Sequence, residues 1–159
     1  MAEILNTILI DTFTLTQLKH RVRILRGYLL KIFFNTQDEN ETISAADLNW
    51  LKTLPENFYQ NFNKDNVYSQ FESLNQQISK LTPLTIYLTF DPDDEAAADI
   101  GQFARKTFDS LMLLDTKKNQ DLIAGCAIIW KGVYKDYSLK AQIEEKKEQI
   151  LSNFKKYLR

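Results

Sequence analysis

Apolar residues recur at helical spacing along the first half of the chain. Ile4, Leu5, Ile8 and Leu9 share one face of a first helix, which the β-branched Thr12, Thr14 and Thr16 interrupt. Thr14 with Gln17 three residues later has the form of a capping box and predicts a second helix start. Leu15, Leu18, Val22, Leu25, Leu29, Ile32 and Phe33 then draw an apolar stripe along that helix. Lys19, His20, Arg21, Arg23, Arg26 and Lys31 fall mostly off the stripe, as expected of a solvated basic face. Residues 35–42 are polar and acidic and read as a loop. Ser44 with Asp47 gives another cap-like start, for a short helix that Pro55 closes or kinks. Within 57–66, Phe58, Tyr59 and Phe62 stand among asparagines and are expected to pin an irregular segment to the bundle. Val67, Phe71, Leu74, Ile78 and Leu81 advance by four, three, four and three, which predicts a helix over about 65–80.

The pattern changes at Thr82-Pro83. Residues 1–83 therefore read as a helical bundle and 84–159 as a small α/β domain. Residues 84–90 alternate and are rich in β-branched and aromatic side chains, so they predict a strand. A helix follows, with Asp91 as N-cap, Pro92 at its first position, and Asp93, Asp94 and Glu95 complementing the helix dipole. Its expected buried stripe is Ala97, Ile100, Phe103, Ala104 and Phe108, and residues 111–114 make a second strand. Strand, crossover helix and strand at this length predict a parallel pair with a right-handed connection.

The run from Leu122 to Trp130 predicts a strand buried on both faces. Gly125 inside it implies a bulge or the close approach of another backbone. Lys131-Gly132 reads as a tight turn, Val133 and Tyr134 as the return strand of a hairpin, and Asp136-Tyr137-Ser138 as the start of a long helix. That helix covers about 139–158, with Leu139, Ile143, Ile150, Phe154 and Tyr157 apolar along one side. Part of its face would pack on the sheet and its end would offer a surface to a partner helix. The predicted class is α+β: an N-terminal helical bundle, then a small mixed sheet domain in the order β-α-β-β-α that ends in a long helix.

With 159 residues, 44% of them hydrophobic, the chain can bury a core. Its formal net charge of -1 gives no reason to expect nucleic acid or anionic lipid as a partner. Cys126 cannot form an internal disulfide; in an apolar strand it is expected to be a buried, inert thiol, in keeping with a reducing, cytosolic location. No apolar run approaches the length of a membrane span, and the first ten residues lack the features of a secretory leader.

Chemistry-bearing patterns are missing. The sequence holds no GxxxxGK[ST] phosphate loop, no GxGxxG turn, no HExxH and no G-x-S-x-G elbow. One histidine, His20, and one cysteine exclude zinc sites built on those ligands, and His20 is expected to be a surface or satisfied helix residue. The acids at 91–95 lack the alternating oxygen ligands and turn glycine of a calcium loop. The expectation is a non-enzyme with no cofactor and no metal.

The order Leu122-Ile123-Ala124-Gly125, then Ile128-Ile129, then Asp136-x-Ser138-Leu139 resembles the C-terminal signature of the delta subunit of F-type ATP synthases, the oligomycin-sensitivity-conferring protein family. Ile123, Gly125, Gly132, Asp136 and Ser138 are the fold-signature residues here, and the likeness covers about the second half of the chain. Residues 1–83 are short for that family's six-helix bundle, and Tyr137 stands where its members often carry glycine. The resemblance implies a peripheral-stalk (stator) subunit of a proton-translocating enzyme, on the cytoplasmic side of the inner membrane and held there only through the complex. Its partners would be the N-terminal helices of alpha subunits and the b subunit. Leu18, Val22, Leu25 and Leu29 would then belong to the surface that meets the head, and Ile143, Ile150 and Phe154 to the one that meets the stalk. Two alternatives stand beside it: a protein like the peripheral-stalk components of archaeal or vacuolar rotary ATPases, and a nucleic-acid-binding module using the basic helix 19–31.

Overall fold

The computed structural model describes residues 2–35 and 43–157, and most of the loop expected over 35–42 lies outside them. The fold is α+β. Helix α1 (Ala2–Leu9) is followed by the long α2 (Leu15–Phe34), α3 (Ala45–Thr53), a single turn α4 (Glu56–Tyr59) and α5 (Val67–Ser79). Ile8, Leu9, Leu18, Leu25, Val67 and Phe71 are among the residues that fill the space between these helices.

Capping follows the sequence with one adjustment. Ser44 and Asp47 close a reciprocal capping box on α3. At α2 the Thr14 side chain accepts from Gln17 N, but the Gln17 Oε1 accepts from Phe13 N at 3.0 Å rather than from Thr14, so the return arm reaches one residue further back. Ile32 leaves the expected stripe and is 56% exposed, because α3 and α4 cover only the side of α2 that carries Leu25 and Leu29.

Phe58 and Phe62 are buried, Phe62 stacks on Phe71 with ring centroids 5.5 Å apart, and the Tyr59 hydroxyl donates to Leu51 O at 2.6 Å. Burial, and then Tyr28, push the Tyr59 phenol up to about 12 from an ordinary 10.0. The folded state thus holds the proton more tightly than the unfolded chain. This contribution to stability is complete below pH 10 and is lost as the pH rises toward 12. Tyr59→Phe is expected to remove that alkaline slope from a series of melting temperatures, and at neutral pH to cost about 1 kcal/mol for the lost hydrogen bond.

After Pro83, strand β1 (Leu84–Leu88) leads into α6 (Asp94–Thr107) and β2 (Leu114–Lys118). A 3-10 turn at Gln120–Leu122 precedes the hairpin β3 (Cys126–Trp130) and β4 (Val133–Asp136). The sheet order is β2-β1-β3-β4; β1 and β2 are parallel, and both hairpin contacts are antiparallel. Three expectations shift here. The cap of α6 is Asp93, which accepts from Ala96 N at 2.8 Å, whereas Asp91 lies outside the helix and pairs with Lys118 Nζ at 3.0 Å. The second strand begins at Leu114: Leu111 N and Met112 N both bond back to Asp109, which makes the apolar run 111–113 a turn that buries Met112 and Leu113. Phe103 and Phe108 are exposed, and small residues, Ala97, Gly101 and Ala104, form the packed side of α6.

Strand β3 is only half-buried, apart from Ala127. The helix α6 covers the face that carries Leu84, Leu114, Ile128 and Trp130. Alternation puts Thr85, Tyr87 and Ile129 on the other face, where they are part-exposed. Cys126 is likewise half-buried, and burial, followed by Asp136, pushes its thiol up.

The last helix runs as α7 (Leu139–Glu145) and α8 (Lys147–Tyr157), with a break at Lys146. Lys146 N still bonds Gln142 O and Ile150 N bonds Lys146 O, so the two segments bend without separating. Residues 144–149 carry no apolar side chain, and nothing packs against that turn to hold it straight. The side chain of Tyr157, and Leu158, lie outside the described residues. Among the described residues no helix is long and apolar enough to cross a membrane.

Candidate functional site

Gly125 lies just before β3, not within it, at φ +83. A Cβ on it would sit 2.6 Å from Tyr137 O, so the close approach of a second backbone is the reason for a glycine here. That approach is stitched on both sides: Tyr137 N donates to Cys126 O and Leu139 N to Ala124 O, each at 2.9 Å. The preceding Ile123 also has positive φ, 67, and its side chain is exposed. Lys131 and Gly132 both have positive φ, as the hairpin turn requires.

Asp136 and Ser138 complete the junction. Asp136 Oδ1 accepts from Ser138 N at 2.8 Å, and Ser138 Oγ caps α7 by accepting from Ala141 N at 3.2 Å. Hydrogen bonding to Ser138 holds the Asp136 carboxyl below its usual range. Ser138 is fully buried. Five signature residues thus form one device that sets the angle at which the C-terminal helices leave the sheet.

Those helices present an apolar side that no described part of the chain covers. Leu139, Ile143, Leu151 and Phe154 are exposed, Phe154 by 63%, and Ile150 by 36%. Leu139, Ile143 and Ile150, Phe154 are each spaced by four, one face within each segment.

The bundle offers a second surface. Leu18, Val22, Leu25 and Leu29 are buried in its core, so they do not form a contact surface as expected; they shape the floor on which one lies. A groove of about 560 Å³ runs between α2 and α5 over Val22, Phe71 and Ile78. Lys19, Arg23 and Arg26, spaced by four and three on α2, make its basic rim. The apolar stripe points to the right helix, but the residues exposed at the rim are basic ones expected only to be solvated.

Titratable groups do gather in a polar cleft of about 800 Å³ between bundle and sheet, lined in part by His20, Arg21, Asp47, Trp50 and Asp94. They are held by one another. His20 Nε2 lies 2.8 Å from Asp47 Oδ1, and the Ser44 hydroxyl donates to Asp47 Oδ2 at 2.7 Å. Burial pushes the Asp47 carboxyl up, and the hydrogen bonds from Ser44 and His20 outweigh it and bring it below the ordinary value. Arg21 donates to Thr12 Oγ1 at 2.7 Å and lies over the Trp50 ring. No group of three or more His, Cys, Asp or Glu side chains among the described residues is placed to hold a metal ion.

No family model, no curated protein and no solved structure matches this chain.

Proposed function

We propose that this chain is a non-catalytic stator subunit of a proton-translocating F-type ATP synthase, joining the catalytic head to the membrane-anchored peripheral stalk from the cytoplasmic side of the membrane. The observation that carries this reading is the uncovered apolar side of α7 and α8, set on the sheet by Gly125, Asp136 and Ser138. The residues of the family resemblance are thus also the ones that orient the surface. A paired-off set of polar groups in the interdomain cleft fits a protein that makes no bonds itself.

In this reading the α7–α8 face takes a helix of the b subunit, and the α2–α5 groove takes the N-terminal helix of an alpha subunit. An apolar floor with a basic rim suits an amphipathic helix with acidic residues along its edges. Neither surface needs nucleic acid or lipid.

The groove is tested by titrating a synthetic peptide of the host alpha subunit's N-terminal segment into the folded protein. Binding is expected, and Lys19→Glu with Arg26→Glu is expected to weaken it roughly fivefold to tenfold, since exposed pairs contribute up to about 1 kcal/mol each. The effect should shrink in high salt. Equal affinity for both proteins would remove the rim from the site, and no binding to either would remove the groove.

A further inference from the structure

The bundle and the sheet meet at one residue that the sequence pattern offers no reason to single out. Arg105, in the last turn of α6, extends its guanidinium across the seam to the end of α1. Nη1 donates to Ile10 O at 2.8 Å, and Nη2 donates to Leu9 O at 2.7 Å and Thr12 O at 2.6 Å. Nε turns back to Met112 O at 3.2 Å. The guanidinium lies 4.6 Å from the centroid of the Phe13 ring. Helix ends leave carbonyls without partners, and a cation suits them. Here the cation that satisfies the end of a bundle helix comes from the other half of the chain.

The surrounding contacts point the same way. Leu114 N, in β2, donates to Phe13 O at 2.8 Å, and Thr14 bridges Leu114 in parallel. Gly101 leaves room for Phe13: a Cβ there would come within 2.7 Å of the Phe13 Cβ. Leu113 belongs to the core of the bundle although it precedes a strand of the sheet. Asp11 is the acid that favours the charged state of Arg105 against the burial that opposes it.

We infer that Arg105 is a latch that fixes the helical bundle to the sheet, so that the α2–α5 groove and the α7–α8 face keep one relative orientation. The latch follows from the seam alone and holds whichever partners occupy the two surfaces. Under the stator reading, it is the part through which load passes from head to stalk. Lysine cannot replace it. An ammonium is a point donor, whereas the planar fork reaches carbonyls on both sides of the seam at once.

The test uses the full chain in a Cys126→Ser background with spin labels at Gln76→Cys on α5 and Lys135→Cys on β4. Pulsed dipolar spectroscopy is expected to give one narrow distance distribution. Arg105→Lys is expected to broaden or split it while the far-UV circular dichroism stays as in the parent. The neighbouring Lys106→Gln should leave the distribution narrow. A parent distribution that is already broad, or an Arg105→Lys distribution as narrow as the parent's, would overturn the latch. Should the lysine variant fail to fold, amide exchange in the unaltered protein decides. The Leu114 amide is expected to be as protected as the core of the bundle, and exchange at the rate of a frayed terminus would refute the proposal.

Discussion

A protein carrying Ile150→Asp and Phe154→Asp is expected to fold as the unaltered chain does and to lose its hold on the peripheral stalk. The two side chains stand one turn apart on α8 and are 36% and 63% exposed, so little native packing depends on them. Stability should change by no more than about 1 kcal/mol, mostly through the poorer helix propensity of aspartate. Binding is a different matter. Full burial of such a side chain contributes roughly 1.5–3 kcal/mol, less for Ile150, which the fold already covers in part. An aspartate forced into the same apolar contact also loses its hydration without gaining a partner. The sum corresponds to a weakening of at least about a hundredfold in affinity for a b-subunit helix, readable by titration calorimetry. Unchanged affinity with an intact fold would move the stalk contact elsewhere.

Gly125→Ala is expected to be the most damaging single methyl group that can be added to the chain's second half. The left-handed backbone at φ +83 costs an alanine about 1–2 kcal/mol. Its Cβ would meet Tyr137 O at 2.6 Å, and that carbonyl cannot retreat freely, because Tyr137 N and Leu139 N are bonded to Cys126 O and Ala124 O. Losing one or both of those bonds adds about 1 kcal/mol apiece. A total of roughly 3–4 kcal/mol should lower the melting temperature by about 10 °C. Gly132→Ala is the control: its φ of +79 is similar, but no atom lies within 4 Å of the added Cβ. It should cost only the backbone term, about 1–2 kcal/mol. Equal losses at the two glycines would mean that the α7 junction is not held by close approach at Gly125.

The parts of the fold that can be read in the sequence are those fixed by local rules. The stripe from Leu18 to Leu29, the Ser44-Asp47 cap, the Lys131-Gly132 turn and the Ser138 cap of the last helix each depend on residues within one or two turns. The misplaced features depend on contacts far apart in sequence. Leu111 to Leu113 look like a strand because they are apolar, but their burial comes from a turn wedged between two cores. The cap of α6 sits at Asp93 rather than Asp91 because Lys118, 27 residues away, takes Asp91. Arg105 carries no sequence signal at all: a basic residue in the last turn of a helix is ordinary, and its carbonyl partners on the bundle lie more than 90 residues away.

The docking surfaces divide in the same manner. Ile143, Ile150 and Phe154 are legible because an apolar face that exceeds what a small sheet can cover must look for a partner. The groove on the bundle is legible only as a helix. An apolar stripe marks what a helix buries, and the residues left for a partner are the flanking ones, Lys19, Arg23 and Arg26.

The stator role is tested most directly by affinity purification of the tagged protein from its own host in gentle detergent, with identification of the proteins that accompany it. The account predicts F-type alpha, beta and b subunits in the eluate, and loss of the b subunit when Ile150 and Phe154 carry aspartate. An eluate free of ATP synthase subunits, or one dominated by nucleic acid, would contradict it.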